Sequence, residues 1–412
     1  MELRVVEQTS ANSSTKYCCP NCSGNTVLAF YKVDNVPVHS VLLLNSRDEA
    51  INYPKGKIEL GFCKSCGFIS NTAFNPEVHE YYSEYESSQA FSPTFNSFSK
   101  KLAELLISRH SLNEKEIIEI GCGQGEFLKL ICGLGKNRGI GFDPAYNESR
   151  SSEVNIDSNG FNADVSIIKD FYSEKYSDYH ADFICCKMTL EHIQDTASFV
   201  SSIRRSITNN SDTGVFFQIP EASRVLDEIA FWDIYYEHCS YFSPVSLAKL
   251  FKNNGFDITN LGTDYEDQYL MIEALPGQGE IQFKFNEDEQ LSQMSAKVDY
   301  FVKNYPRKLD EWNGTLNDIK EKGLKSVVWG SSSKGVAFLT TLDAGHDEIE
   351  YVVDINPYRQ GSFMAGTGQE IVSPEFLKEY KPDLIIVMNP IYTNEIKKGL
   401  VELQLSPDVI TV

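Results

Sequence analysis

A phenol, a carboxylate and an imidazole stand close together at Tyr235, Glu237 and His238, inside the aromatic run FWDIYYEHCSYFS of residues 231–243. An imidazole with an ordinary pKa near 6.5 is suited to taking up a proton close to neutrality. A phenol can donate to an oxygen that gains negative charge, and a carboxylate can orient an imidazole. The same run also reads as a core strand that tolerates two polar residues. Its periodicity does not decide, because aromatic residues occupy both parities.

Two other constellations carry chemistry of their own. Cys19 and Cys22 form one C-x-x-C pair, and Cys63 and Cys66 form another. Two such knuckles can set four thiolates tetrahedrally around a structural zinc ion, leaving no open position for water. Cys18 is a neighbouring substitute for Cys19, with poorer spacing. The other cysteines, at 122, 132, 185, 186 and 239, sit in or near apolar runs and read as small buried hydrophobes. The third constellation is EIIEIGCGQGEFLKL, where Gly121, Gly123 and Gly125 follow a short apolar run. Glycines there let the backbone approach a ligand in front of a helix N-terminus. Asp143 ends the next apolar run, 18 residues after Gly125, where an acid can accept hydrogen bonds from ribose hydroxyls. Asp170 follows a further short apolar stretch.

These residues need elements to hold them. Between the knuckles, NTVLAFYKVDNVPVHSVLLL alternates well enough to predict two strands of a small sheet. The pattern FNSFSKKLAELLISRH predicts a helix. Short apolar runs at 117–120, before Asp143, before Asp170, in ADFICCKMTLEH and in GVFFQIP predict five strands, and GFDITNL with YLMIEA a closing hairpin. Pro276, Gly277 and Gly279 mark a boundary. Beyond it, one helix is expected to stop at Pro306 and a second to run through Trp312 and Ile319. SVVWG, IEYVVDINP and PDLIIVMNP then read as strands of another α/β unit. Its Gly330, Lys334 and Gly335 resemble a phosphate-cradling turn. An ordinary turn capping a helix is the competing reading.

The expected organisation is therefore α/β throughout: a small zinc-binding domain over 1–90, a Rossmann-like domain over 91–278 and a C-terminal Rossmann-like α/β domain over 279–412. The chain has 412 residues, 42% of them hydrophobic, which suits two or three ordinary globular domains. Its net charge of −21 opposes nucleic acid and anionic lipid as partners. No apolar run approaches the roughly 20 residues of a membrane span. The start, MELRVVEQTS, lacks the form of a secretory signal, so a cytoplasmic location is expected.

The order Glu119, Gly121, Gly123, Gly125, Asp143, Asp170 resembles that of class I S-adenosylmethionine-dependent methyltransferases. The resemblance implies that Glu119 and the glycines flank the methionine part of the cofactor. Asp143 would hold its ribose, and Asp170 with Phe171 its adenine. The whole chain is similar to the zinc-domain-containing nucleotide-sugar C-methyltransferases, which act on nucleotide-linked 4-keto deoxysugars, dTDP-linked in the familiar members. Tyr235 to Ser243 carries the most specific part of that likeness, and VVDINPYRQGSFMAGTGQEIVSPEFL extends it to the C-terminal part. By resemblance, Tyr235, Glu237 and His238 are active-site groups, with His238 as base and Glu237 orienting it. His192 in MTLEHIQD would reach the same cleft, Tyr82 and Tyr85 would cover the cofactor, and Lys334 with Gly330 would meet a diphosphate. Two other readings stay open: an O- or N-methyltransferase on a small metabolite, and a non-catalytic binding module. The oligomeric state is not legible.

Overall fold

The computed structural model describes residues 17–78, 85–148, 163–207, 212–277 and 286–412. Its strands are, in chain order, β1 Val27–Pro37, β2 Lys55–Cys63, β3 Ile69–Asn71, β4 Glu116–Ile120, β5 Arg138–Phe142, β6 Asp164–Ile168, β7 Phe183–Lys187 and β8 Gly214–Pro220. They continue as β9 Ser240–Tyr241, β10 Phe256–Asp264, β11 Tyr269–Pro276, β12 Ser326–Trp329, β13 Tyr351–Val353, β14 Glu370–Val372, β15 Leu384–Val387 and β16 Asp408–Thr411.

Three sheets result. The first is antiparallel, in the order β1-β2-β3-β9. Its fourth strand comes from the aromatic run, where Tyr241 pairs with Ile69 and Ser240 with Ser70. Of the two strands expected in NTVLAFYKVDNVPVHSVLLL only β1 forms, and its partner between the knuckles is β2, further along the chain. Pro37, which has no N–H to donate, ends β1. The apolar stretch after it is buried at Val38, Val41 and Leu44, and it makes isolated bridges to Tyr85 and Phe363 rather than a hairpin.

The second sheet has seven strands in the order β10-β11-β8-β7-β4-β5-β6. Strands β4 to β8 are parallel, and β11 runs against both β8 and β10. Parallel strands need covering on both faces, so their residues are apolar in succession rather than in alternation. Ile117 and Phe216 pack with Leu102 and Phe127 on one side, while Ile118 and Phe217 pack with Val200 and Phe251 on the other. Chain order reverses at β4, which opens a crevice at its carboxyl end.

The third sheet, in the order β14-β13-β12-β15-β16, is parallel throughout and reverses at β12. It is joined to the second by one helix, Glu287–Lys322, which passes through Pro306 without ending. The expected stop does not occur. A proline inside a helix forfeits a hydrogen bond and costs about 3 kcal/mol. Burial on both sides of it, at Met294, Val298 and Phe301 before and Trp312, Leu316 and Ile319 after, offsets that cost. One apolar cluster unites Ile58 and Leu60 of β2 with Phe231, Trp232, Phe301, Trp312, Val328 and Phe338. The aromatic run is thus wedged between the first and third sheets. Among the described residues, no helix is long and apolar enough to cross a membrane.

Candidate active site

Gly121, Gly123 and Gly125 all lie in the left-handed region, with φ of 69°, 56° and 79°. A Cβ on Gly121 would stand 2.0 Å from Thr189 Oγ1, so the loop is pressed against the segment that follows β7. A Cβ on Gly123 would meet nothing nearer than Glu126 Oε2 at 3.9 Å, which leaves open space in front of the helix Glu126–Gly135. Asp143 spans this loop. Its two carboxylate oxygens accept hydrogen bonds from Gly123 N and Ala145 N, each at 2.8 Å. Burial raises its pKa and the two amides oppose that rise.

Glu119 is buried, and its Oε2 has no hydrogen-bond partner among the described residues. Burial pushes its carboxyl up to about 8, against the pull of Lys187. An orphaned buried carboxyl beside an open glycine cradle is what a bound ligand with donor groups would complete. S-adenosylmethionine fits that description through its ammonium and ribose hydroxyls. At the rim, Asp170 Oδ1 accepts from Phe171 N at 2.8 Å, and Oδ2 accepts from Tyr176 Oη at 2.6 Å and pairs with Lys175. Lys175 first and Tyr176 second hold its carboxyl down to about 2. The Phe171 side chain is exposed. An adenine amine at Asp170 would therefore share a carboxylate that already has partners. Tyr82 lies outside the described residues. Tyr85, expected over the cofactor, hydrogen-bonds through its side chain to Glu237.

His238 is buried with its Nε2 2.9 Å from Tyr235 Oη. The His192 ring stands edge-on to it at 4.9 Å, and His192 Nδ1 donates to the Glu237 carbonyl at 2.9 Å. Burial, with His192 and Lys334 nearby, holds the His238 pKa well below its ordinary value. His192 is pushed down to about 4 by burial. Both imidazoles are therefore neutral at physiological pH. Burial also raises the Tyr235 pKa, which keeps the phenol protonated as a donor.

The carboxylate of Glu237 is not the orienting group expected for His238. It turns to the N-terminal sheet, where Oε2 accepts hydrogen bonds from Ser40 N at 3.1 Å and from Ser40 Oγ. Tyr236 and Glu237 form a tight turn, closed by the His238 N–H donating to the Tyr235 carbonyl at 3.2 Å, and the side chains of Glu237 and His238 leave that turn in different directions. Burial raises the Glu237 carboxyl to about 7, with Ser40, Tyr85 and Arg359 opposing. Ser40 Oγ reaches Ser333 Oγ at 2.8 Å, and Arg359 donates to Ser331 O at 2.6 Å. The first and third sheets therefore meet behind the aromatic run. The carboxylate that does face His238 is Glu191, whose Oε1 is 4.0 Å from His238 Nε2.

Lys334 pairs with Asp233 at 2.5 Å, and Arg224 pairs with the same carboxylate at 2.6 Å. Gly330, with φ of 116°, starts the turn into the helix Ser333–Thr341, and a Cβ on Gly335 would strike Gly330 O at 2.3 Å. Away from this cleft, Cys19 and Cys66 Sγ are 3.7 Å apart, as are Cys22 and Cys63 Sγ. All four sulfurs lie within 4.8 Å of one another. Disulfides would hold sulfurs about 2.05 Å apart. Asn21 Nδ2 donates to Cys66 Sγ at 3.5 Å and to Ser246 O at 3.1 Å, which ties the cluster to the second sheet's helices. The five remaining cysteines assigned to apolar surroundings are all buried.

The methyltransferase-domain family matches residues 93–261, and the family described as the C-methyltransferase C-terminal domain matches residues 278–405. C-methyltransferase NovU of Streptomyces niveus is 25% identical over 370 residues, 86% of this chain and 85% of NovU. Magnesium protoporphyrin IX methyltransferase of Synechocystis PCC 6803, solved with bound SAH, is 15% identical, with a TM-score of 0.34 over 47% of this chain and 91% of its own. The 1,6-didemethyltoxoflavin-N1-methyltransferase of Burkholderia thailandensis is 11% identical, with a TM-score of 0.33 over 47% and 92%. The first matched range contains the glycine cradle, Asp143 and the Tyr235–His238 pair, and the second contains Gly330 and Lys334; the chain is an S-adenosylmethionine-dependent C-methyltransferase.

Proposed function

We propose that this chain methylates carbon beside the ketone of a nucleotide-linked 4-keto sugar, through an enolate generated by His238. The observation that carries the reading is a neutral, buried imidazole 2.9 Å from a protonated phenol, set between the cofactor loop and the third sheet. Thr189 touches the glycine loop, and three residues later the His192 ring stands edge-on to His238. S-adenosylmethionine, when bound, supplies an electrophilic methyl group on its sulfonium. His238 takes the proton from carbon, which is work for a base that is neutral at the working pH. Tyr235 donates to the oxygen that becomes negative. Burial keeps water from both and strengthens that hydrogen bond.

A nucleotide-sugar suits the turn at Gly330, which faces the reversal point of a parallel sheet at a helix N-terminus. A diphosphate there would compete with Asp233 for Lys334. The four N-terminal cysteines are assigned a structural zinc. Tetrahedral bonds of about 2.3 Å set neighbouring sulfurs about 3.75 Å apart, which the two closest pairs here match.

Incubation of the protein with methyl-13C-labelled S-adenosylmethionine and dTDP-linked 4-keto-6-deoxysugars tests the reading. A labelled methyl that correlates with a ring carbon beside the ketone is expected in the product's NMR spectrum. Label on oxygen or nitrogen would reject carbon as the acceptor.

A further inference from the structure

Glu191 has no part in the assignments above, yet it is the buried polar side chain with the least to hold it. It is 1% exposed. Neither carboxylate oxygen has a hydrogen-bond partner among the described residues. The nearest basic atom is His238 Nε2, 4.0 Å from Oε1. One atom each of Glu191, His192 and His238 lies within 4.8 Å of the other two. A carboxylate buried without donors is strongly disfavoured, so a fold that keeps one beside its base has a use for it. The gap to His238 is closed by a small rotation of either side chain or by one water molecule, and such contacts commonly tighten only when substrate is bound.

We propose that Glu191 and His238 act as one single-proton unit, in which the carboxylate lets His238 accept a proton from carbon without burying net positive charge. This rests on the enolate reading. In the active form Glu191 is ionised and His238 neutral. The substrate C–H bond breaks, its electron pair stays with the carbon as the enolate, and the proton forms an N–H bond on His238. The unit goes from −1 to zero as the substrate goes from zero to −1. With glutamine at 191, the same step would create an imidazolium and an enolate from two neutral groups in a water-poor cleft, which low dielectric penalises.

Burial pushes the Glu191 carboxyl up to about 8, so the unit gains its active form as pH rises through that value. The Glu191 backbone N–H opposes that upward push. The titratable groups that face the carboxyl are His192 and His238, and its charge is felt by Cys186 of β7, Tyr235 and Cys239 of the aromatic run, and Tyr269 of β11. Lys334 acts on the same pocket from the third sheet and is held by Asp233.

Two measurements on the full-length protein test the unit. The first is the pH dependence, between 6 and 9, of hydrogen exchange from the carbon beside the ketone of a dTDP-linked 4-keto-6-deoxysugar. In the wild type the rate should climb about tenfold per pH unit and level off near 8. Glu191→Gln should lower the plateau roughly 10- to 100-fold and flatten the profile, while Glu191→Asp should keep the climb. An unchanged climb in Glu191→Gln would overturn the proposal. The second measurement needs no substrate. Infrared difference spectra between pH 6 and pH 9.5 should show protonated carboxyl bands from Glu119, Glu237 and Glu191 in the wild type, of which Glu191→Gln lacks one, with S-adenosylmethionine affinity retained as the check on folding. Identical difference spectra would overturn it. A wild type that exchanges no proton from any such sugar defeats the enolate reading, and the infrared comparison then still decides the state of Glu191.

Discussion

Asp143 has two partners before any ligand arrives, the amides of Gly123 and Ala145. Replacing it with alanine removes the ribose acceptor and leaves two loop amides unpaired. Asp143→Ala should weaken S-adenosylmethionine binding by about 1–3 kcal/mol, the usual cost of stranding buried hydrogen-bonding groups. Calorimetry that returns wild-type affinity would remove Asp143 from the site. Such a residue can be proposed from sequence because a glycine loop and an acid at fixed spacing imply a geometry by themselves. Tyr235 and His238, three residues apart in the chain, meet across a tight turn. Glu237 sits inside that turn, and its carboxylate goes to Ser40 rather than to His238, which adjacency in the chain does not reveal. Ser40 and Arg359 gave no signal, since their partners lie 197 and 319 residues off. Glu191 carried one faint signal, an acid immediately after the apolar run of β7.

At the scale of elements, β9 matters more than its two residues suggest. It belongs to the sheet of the cysteine knuckles and is also the continuation of the catalytic run. Cys63 ends β2 and pairs through that sheet with the segment that carries His238. Loss of the metal should therefore reach the reaction. Cys63→Ser is expected to drop bound zinc well below one equivalent, to lower the thermal midpoint and to abolish methyl transfer. Elemental analysis and an activity assay on the same preparation check this; full activity without zinc would separate the knuckles from the site. The parallel strands of the second sheet and β12, β13 and β15 of the third can be read from short apolar runs, because buried parallel strands have no polar face; the outer strands β14 and β16 of the third sheet cannot. Nor can the path after Pro37 and the helix through Pro306. Both are decided by burial against distant segments, and local propensity has no access to that.

Across the whole molecule, the first and third sheets share one apolar cluster and one polar junction, and the aromatic run passes through both. In the proposed reaction that arrangement sets a neutral base, a phenol and a second carboxyl between the glycine loop and the turn at Gly330. The glycine loop is readable in the sequence, but the joining of the aromatic run to the N-terminal sheet is not, since that depends on a two-residue strand. The central claim is that His238 removes a proton from carbon. With S-adenosylhomocysteine bound, which has no methyl to give, NMR in heavy water follows exchange of the proton beside the ketone of a dTDP-linked 4-keto-6-deoxysugar. The wild type should exchange it, and His238→Asn, with cofactor affinity intact, should do so at least about 100-fold more slowly. Exchange at the wild-type rate in His238→Asn would contradict the account.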